Sequence, residues 1–264
     1  MEKGALFFDI DGTILSNHTH EVPESTYRAL KEAKENGYAV FVNTGRTFCS
    51  ISSNVMKIDF SGFGCGCGAH IIYEGKDLFH SSLDEKKGSH FIDKMQEYQV
   101  EGFAEASDDL YFPENVSRFA EIEMIRKWYA DDLGIGEKAS IETKKFQYDK
   151  LYVCVDEKSN TDEFLKAIQP ELLPLDRLNG TYECIQREYS KATGIEYIRK
   201  YLGLGMDQIY VFGDSSNDLA MFKYATHTIA MKEHDPVLDP HIEYVTDTVD
   251  NDGIYKAMKH YGII

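Results

Sequence analysis

Two aspartates, Asp9 and Asp11, interrupt an otherwise apolar stretch near the start of the chain, "ALFFDIDGTIL" at 5–15. The apolar run predicts a buried β-strand, so the two acids stand where that strand ends. A carboxylate held rigidly there, such as that of Asp9, could act as a nucleophile. Asp11, just before a turn at Gly12, could donate and accept protons as a general acid and base. An ordinary Asp-Gly turn would also explain this dipeptide, so other motifs have to decide.

Three further polar motifs share this position just past an apolar strand or at the start of a helix. They are "NTGR" at 43–46, "SKATG" at 190–194 and "GDSSND" at 213–218. Alone, the first is typical of a loop and a lysine such as Lys191 is typical of a solvent-facing helix start. In an open parallel sheet, however, the carboxyl ends of the strands form the ligand crevice. We therefore expect Asp9, Thr44 and Asp214 to converge on one site.

Carboxylates gathered at one site need a positive charge between them. Two of them ~4 Å apart repel by about 4 kcal/mol at an effective dielectric of 20. Mg²⁺ is typically held by one or two carboxylates together with water and substrate phosphate oxygens, and Asp9 and Asp214 are the predicted ligands. Thr44, Gly45 and Lys191 could then offer a hydroxyl, a backbone N–H and an ammonium group to phosphate oxygens, and helix N-termini would add their dipoles.

The elements that must position these residues alternate between helix and strand. Helices are predicted at 22–37, 190–203, 217–225 and 250–262, and apolar strands at 5–8, 38–46, 208–218, 227–231 and 242–246. This alternation predicts an α/β fold with a doubly wound parallel sheet. Residues 82–188 have a different pattern, with an amphipathic helix at 117–134 and alternating strands at 148–155 and 181–188. We expect a core domain of 1–81 and 189–264 with an α+β domain of 82–188 inserted into it.

Composition narrows the classes of partner. The 264 residues include 28 Lys+Arg and 45 Asp+Glu, a formal charge of −17 that repels nucleic acids and anionic membrane surfaces. No apolar run resembles a signal peptide or a membrane span, so a cytoplasmic protein is expected. The five cysteines are an odd number scattered along the chain, which favours reduced thiols. The oligomeric state cannot be inferred from these features.

Two other segments could suggest ligands. "FGCGCGAH" at 63–70 lacks a second cysteine pair at zinc spacing, so we predict a glycine-rich, close-packed loop. "NHTHE" at 17–21 is predicted to be a mobile loop whose histidines have about equal chances of contacting a substrate or not.

The four motifs, in this order, resemble those of the haloacid dehalogenase superfamily of phosphohydrolases, in particular its Cof-type group with a large α/β cap. The chain has strand-DxDGT at 9–13, strand-TGR at 44–46, a helix-opening Lys191 and strand-GDSSND at 213–218. The tail "VTDTVDNDGIYKAM" at 245–258 is also similar to the closing segment of that group. The resemblance therefore covers essentially the whole chain.

The resemblance implies a role for each matching residue. Asp9 would be the nucleophile and a Mg²⁺ ligand, and Asp11 the acid and base that also offers its backbone carbonyl to the metal. Asp214 would complete the metal site, with Asp218 outside the directly bound ligands. Phosphate binding would fall to Ile10, Thr44, Gly45, Lys191 and Asn217, and Arg46 would face the substrate.

We expect a Mg²⁺-dependent phosphatase of small phosphomonoesters such as sugar phosphates, acting through an aspartyl-phosphate. A phosphomutase with the same intermediate and a non-catalytic sensor of Mg²⁺ and phosphate are the alternatives. The chain departs from common relatives at Cys67, at Ala192 and in the loop "MKEHDP" at 231–236. These departures prevent a transfer of substrate preference.

Overall fold

The computed structural model describes residues 2–264, which form two compact units. The core unit comprises the chain up to Gly45 together with Ser53–Phe79 and Ser190–Ile264. The inserted unit comprises Arg46–Ser52 and His80–Tyr189. The expected bounds of the core, 1–81 and 189–264, differ from this division at 46–52, 80–81 and 189, which group with the inserted unit. The first of these segments is bonded to the inserted unit, since the Cys49 N–H donates to Ser107 O at 3.1 Å and the Cys49 thiol to Ala106 O at 3.3 Å.

Residues 2–264 contain thirteen strands and seven α-helices. The strands are β1 Gly4–Phe8, β2 Tyr38–Asn43, β3 Gly62–Cys65, β4 His70–Tyr73, β5 Lys76–His80, β6 Glu101–Glu105, β7 Leu110–Tyr111, β8 Lys150–Cys154, β9 Leu172–Asp176, β10 Thr181–Gln186, β11 Ile209–Gly213, β12 His227–Ala230 and β13 Tyr244–Val245. The helices are α1 Glu24–Glu35, α2 Glu85–Glu97, α3 Ala120–Leu133, α4 Thr161–Ile168, α5 Lys191–Leu202, α6 Leu219–Tyr224 and α7 Gly253–His260. Among the described residues, no helix is long and apolar enough to cross a membrane.

An eight-stranded sheet runs through the core unit in the order β13-β12-β11-β1-β2-β3-β4-β5. The six strands from β13 to β3 are parallel, as predicted for a doubly wound fold, whereas β4 is antiparallel to β3. The predicted loop at 63–70 is therefore wrong in part, because this segment contains most of β3, a short 3₁₀ turn and the start of β4. The high glycine content concealed a strand whose backbone packs closely on its neighbours, since a Cβ on Gly62 would lie 2.2 Å from Ile72 O.

The central strand β1 explains the apolar run at the start of the chain. All five of its residues are buried, and it pairs with β2 on one side and β11 on the other. A strand covered on both faces needs apolar side chains at successive positions. Phe7 stacks on Phe41 with ring centroids 5.0 Å apart, and Phe8 stacks on Phe212 at 4.3 Å. These contacts lock β1, and with it the position of the residue that follows.

The inserted unit is an antiparallel sheet in the order β7-β6-β8-β10-β9. Successive side chains of its strands point to opposite faces of the sheet. Leu151 and Val153 join a core with residues of α2 and α4. Tyr152 and Cys154 instead pack in a second cluster with residues of α3. Each face of this sheet is thus covered by helix over at least part of its length.

Candidate active site

Asp9 and Asp214 follow the carboxyl ends of the neighbouring parallel strands β1 and β11. The backbone N–H of Asp9 donates to Phe212 O at 3.0 Å, which fixes Asp9 beside the end of β11. Asp218 lies in the 3₁₀ turn that leads into α6. Carboxylate oxygens of Asp9, Asp214 and Asp218 lie within 4.8 Å of one another, and all three side chains are buried.

Lys191 places its ammonium group among these acids. Its Nζ donates to Asp9 Oδ1 at 2.7 Å, to Asn217 Oδ1 at 3.0 Å and to Asp218 Oδ1 at 2.5 Å. An ammonium group has three N–H donors, so each has an acceptor here. The side chain is fully buried. Lys191 therefore orients Asp9 in this structure, and any phosphate oxygen it binds must share or replace one of these acceptors.

The start of α5 explains why Lys191 lies there. Ser190 caps the helix by accepting a hydrogen bond from Thr193 N–H at 3.3 Å, and the Thr193 hydroxyl oxygen accepts one from Ser190 N–H at 2.9 Å. The amide of Asn43, the last residue of β2, donates to Lys191 O at 3.1 Å. This capping box and the bond to Asn43 fix the first turn of α5 at the carboxyl end of β2.

Asp218 organises the loop after β11 with its second oxygen. Asp218 Oδ2 accepts from Asp214 N–H at 2.9 Å and from Ser215 N–H at 3.1 Å. The Thr13 hydroxyl donates to Asp214 Oδ1 at 2.9 Å. Thr13 was not predicted as a site residue, although it is the last letter of the DxDGT motif and that position was the available signal.

Burial and crowding shift Asp9 and Asp214 towards their protonated forms. Burial raises the pKa of Asp9 to about 7, although the charge of Lys191 opposes the shift. Burial, reinforced by the charges of Asp9 and Asp218, raises the pKa of Asp214 to about 8. For Lys191 burial acts to lower the pKa, but the carboxylates of Asp218 and Asp9 outweigh it and raise the pKa above its usual range.

These residues fit a divalent cation. Three carboxyl groups face a single ammonium group, and their oxygens are the hard ligands that Mg²⁺ prefers. A cation would supply the missing positive charge and favour the ionised forms of Asp9 and Asp214. Asp218 already uses both oxygens for Lys191 and the loop backbone, so Asp9 and Asp214 are the side chains best able to bind directly.

Two further predicted residues, Ile10 and Asp11, lie in the turn that follows β1. Asp11 is half-buried there, and its backbone forms an isolated β-bridge with that of Leu15. Ile10 is buried there, and its carbonyl accepts the N–H groups of Thr13, Ile14 and Leu15. That turn follows Asp9 without interruption, so both residues stay next to the acidic cluster.

Thr44 and Gly45 are buried just past β2. Thr44 N–H donates to Gly64 O at 2.8 Å, and Thr44 O accepts from Cys67 N–H at 3.0 Å. The turn that contains Cys67 packs on the start of α5, because a Cβ on Gly68 would lie 2.3 Å from Ser190 O. Thr44 is thus joined through one short turn to the residue before Lys191.

Arg46 differs from the other predicted residues because it belongs to the inserted unit. Its Nη1 donates to Ser50 O at 2.9 Å, and its guanidinium carbon lies 5.4 Å from the ring centroid of Trp128. The structure therefore brings together Asp9, Lys191, Asp214, Asn217 and Asp218 and places Arg46 on an aromatic ring of α3. Their catalytic and binding roles stay predictions.

A doubly wound parallel sheet with a buried lysine and aspartates at its carboxyl edge defines an α/β protein with a polar ligand crevice at that edge. A model of the haloacid dehalogenase-like hydrolase family matches residues 6–258, and the chain belongs to this family. The predicted resemblance to Cof-type members is confirmed, and so are the α/β fold and the class of phosphoric monoester hydrolase.

Similar proteins cover the whole chain. YkrA of Bacillus subtilis (strain 168) is 27% identical over 268 residues, which span 100% of both chains. The 5-amino-6-(5-phospho-D-ribitylamino)uracil phosphatase YitU of the same strain is 22% identical over 261 residues, 96% of this chain and 95% of YitU. Among solved structures, the sugar phosphatase BT4131 of subclass IIB is 26% identical with a TM-score of 0.82, covering 99% of this chain and 100% of BT4131.

Proposed function

We propose that this protein is a Mg²⁺-dependent phosphatase that hydrolyses small phosphomonoesters, such as sugar phosphates, through an aspartyl-phosphate on Asp9. The observation that carries the proposal is the buried carboxylate of Asp9, held 2.7 Å from Lys191 Nζ at the carboxyl edge of the sheet. A nucleophile needs such a fixed orientation, because near-attack geometry removes much of the entropic barrier.

Asp9 and Asp214 would hold the cation through their carboxylates and Asp11 through its backbone carbonyl. When bound, Mg²⁺ supplies positive charge that lowers the repulsion between these acids and the phosphoryl group. Lys191 would keep one oxygen of Asp9 fixed while the other faces the phosphorus. Ile10, Thr44, Gly45 and Asn217 would bind phosphoryl oxygens.

The reaction would proceed in two displacements on phosphorus. In the first, a carboxylate oxygen of Asp9 bonds to phosphorus as the bond to the leaving oxygen breaks, and Asp11 donates a proton to that oxygen. In the second, Asp11 takes a proton from water as the water oxygen bonds to phosphorus. The bond between Asp9 and phosphorus then breaks, which releases phosphate and restores both aspartates.

For the substrate we propose a phosphorylated polyol or sugar. The support is that BT4131 is described as a sugar phosphatase and that YitU acts on a phosphoribityl compound by its name. We further propose that the inserted unit, predicted as 82–188, is the cap that selects the leaving group. The net charge of −17 agrees with a small substrate rather than a nucleic acid.

A screen of phosphorylated metabolites with Mg²⁺, read by phosphate release, tests this proposal. We expect free phosphate as the product, and Asp9→Asn should lower kcat at least ~10³-fold, as removal of a nucleophile does elsewhere. Asp59→Asn is the matched control, because Asp59 is a strongly exposed acid of the core unit that pairs with Lys34. Full activity of Asp9→Asn would refute the mechanism, and an isomerised sugar phosphate would indicate a mutase instead.

A further inference from the structure

The loop after β12 is bonded to the backbone of the acidic cluster. Met231 N–H donates to Gly213 O at 3.0 Å, and Asp235 N–H donates to Asp214 O at 2.7 Å. Two consecutive carbonyls at the end of β11 are thus held by two N–H groups four residues apart. The orientation of Asp214 therefore depends on the shape of the loop between Met231 and Asp235.

The side chain of His234 contacts both this loop and the turn that follows it. Its Nδ1 lies 2.6 Å from Met231 O, and since a carbonyl only accepts, Nδ1 carries the proton of this hydrogen bond. Its Nε2 lies 3.0 Å from Asp239 Oδ1, in the 3₁₀ turn Pro236–His241. The imidazole is largely buried, with 13% of the side chain exposed. It joins the start of the loop to the turn that follows it.

Asp235 also bonds the loop to the 3₁₀ turn. Its carboxylate accepts from Val237 N–H at 3.0 Å, which caps the 3₁₀ turn, and its carbonyl accepts from Leu238 N–H at 3.0 Å. The peptide whose N–H reaches Asp214 O is therefore held from the far side by the turn and from the near side by His234. A loop bonded at both ends holds the Asp235 N–H in a fixed position, whereas a loop bonded at one end does not.

We propose that His234 is a positioning residue for Asp214 and so for the affinity of the site for a divalent cation. The inference rests on the proposed function, because it takes Asp214 as a ligand. Without the imidazole, Asp235 N–H loses its fixed position, and Thr13 and Asp218 are left to hold Asp214. Loss of a group that orients a ligand typically costs 10–100-fold in metal affinity, and we expect about tenfold here.

Calorimetric titration of Mg²⁺ alone into the full-length protein tests the proposal without substrate. We expect His234→Ala to raise the Kd for Mg²⁺ about tenfold. His234→Asn should restore most of the affinity, because an Asn amide can donate to Met231 O as Nδ1 does. Glu233→Gln is the matched control, because Glu233 lies in the same loop, is exposed and pairs with His18 at 3.3 Å. The Kd of this variant for Mg²⁺ should stay within about twofold of the wild-type value.

Kinetics separates positioning from a general loss of structure. The Mg²⁺ concentration for half-maximal activity should rise in His234→Ala, while the KM for substrate at saturating Mg²⁺ should stay at the wild-type value. A Kd for His234→Ala equal to that of wild type would overturn the proposal. If that variant does not fold, Asp239→Ala decides, since it removes only the Nε2 contact: a raised Kd supports the proposal and an unchanged Kd overturns it. Absence of Mg²⁺ binding by the wild type would instead refute the proposed function, and this inference with it.

Discussion

Replacement of Gly12 by alanine tests how tightly the acidic cluster is built. Gly12 has φ +81°, and a Cβ there would lie 2.4 Å from Asp214 Oδ2 and 2.9 Å from Asn17 Nδ2. The substitution therefore has two separate costs. One is the left-handed backbone, which any L-residue resists, and the other is a direct displacement of the Asp214 carboxylate.

The two costs can be measured apart because the chain offers a matched position. Gly203 has φ +70°, and nothing lies within 4 Å of a Cβ built on it. Gly203→Ala should lose about 1–2 kcal/mol of unfolding free energy from the backbone alone. Gly12→Ala should lose this amount and also the hydrogen bond from Thr13 to Asp214, worth about 1 kcal/mol. Its total loss is therefore about 2–3 kcal/mol.

The assays are urea denaturation for stability and calorimetric titration of Mg²⁺ for the site. We expect Gly12→Ala to raise the Kd for Mg²⁺ by about 10–100-fold, as displacement of a ligand does, and Gly203→Ala to leave it unchanged. If Gly12→Ala binds Mg²⁺ as wild type does, the Asp214 carboxylate is free to move and the proposed rigidity of the site is wrong. Equal losses of stability in the two variants would show that the close contact carries no cost.

Three further predictions concern other parts of the molecule. Gln99 follows α2 with φ 55°, so Gln99→Gly should raise the unfolding free energy by about 1 kcal/mol, and lower stability would contradict this. Burial acts to raise the pKa of Glu183, but the cationic side chains of Lys150 and Arg177 outweigh it and lower the pKa from 4.5 to about 2. The carboxylate therefore stabilises the fold fully above pH 4.5 and loses this effect as the pH falls through about 2, so the stability gap between wild type and Glu183→Gln should shrink over that range; a constant gap would refute the assignment. Arg46→Ala removes the cation stacked on Trp128, the single tryptophan, and should shift its fluorescence to longer wavelength as water replaces the guanidinium; an unchanged spectrum would contradict the contact.

Much of the core unit follows from local patterns. Helix α5 begins at Lys191 after its cap Ser190 and ends before Gly203, as the sequence predicts, because capping residues and helical spacing act within a few residues of chain. The apolar run before Asp9 is β1, because a strand covered on both faces needs apolar residues at successive positions. The fold and the family could thus be predicted without coordinates.

The partners of the site residues could not be predicted in the same way. Lys191 was expected to bind phosphate, and the structure shows it bonded to Asp9, Asn217 and Asp218. Arg46 directly follows Gly45 but belongs to the inserted unit. In both residues the chemistry of the side chain is evident from the sequence, whereas its partner depends on contacts between segments far apart in the chain.

Sequence patterns were enough to predict the alternating strands and helices of the parallel core, the polar residues that follow its strands, and the convergence of Asp9 and Asp214 at one edge of its sheet. These properties depend on short-range periodicity and on the geometry common to all parallel sheets. Only the folded chain shows that the Thr13 hydroxyl donates to Asp214, that the absent Cβ of Gly12 leaves room for the Asp214 carboxylate, and that His234 Nδ1 lies 2.6 Å from Met231 O. The physical reason is that hydrogen bonds act over about 3 Å, so only the folded chain determines which distant groups come that close.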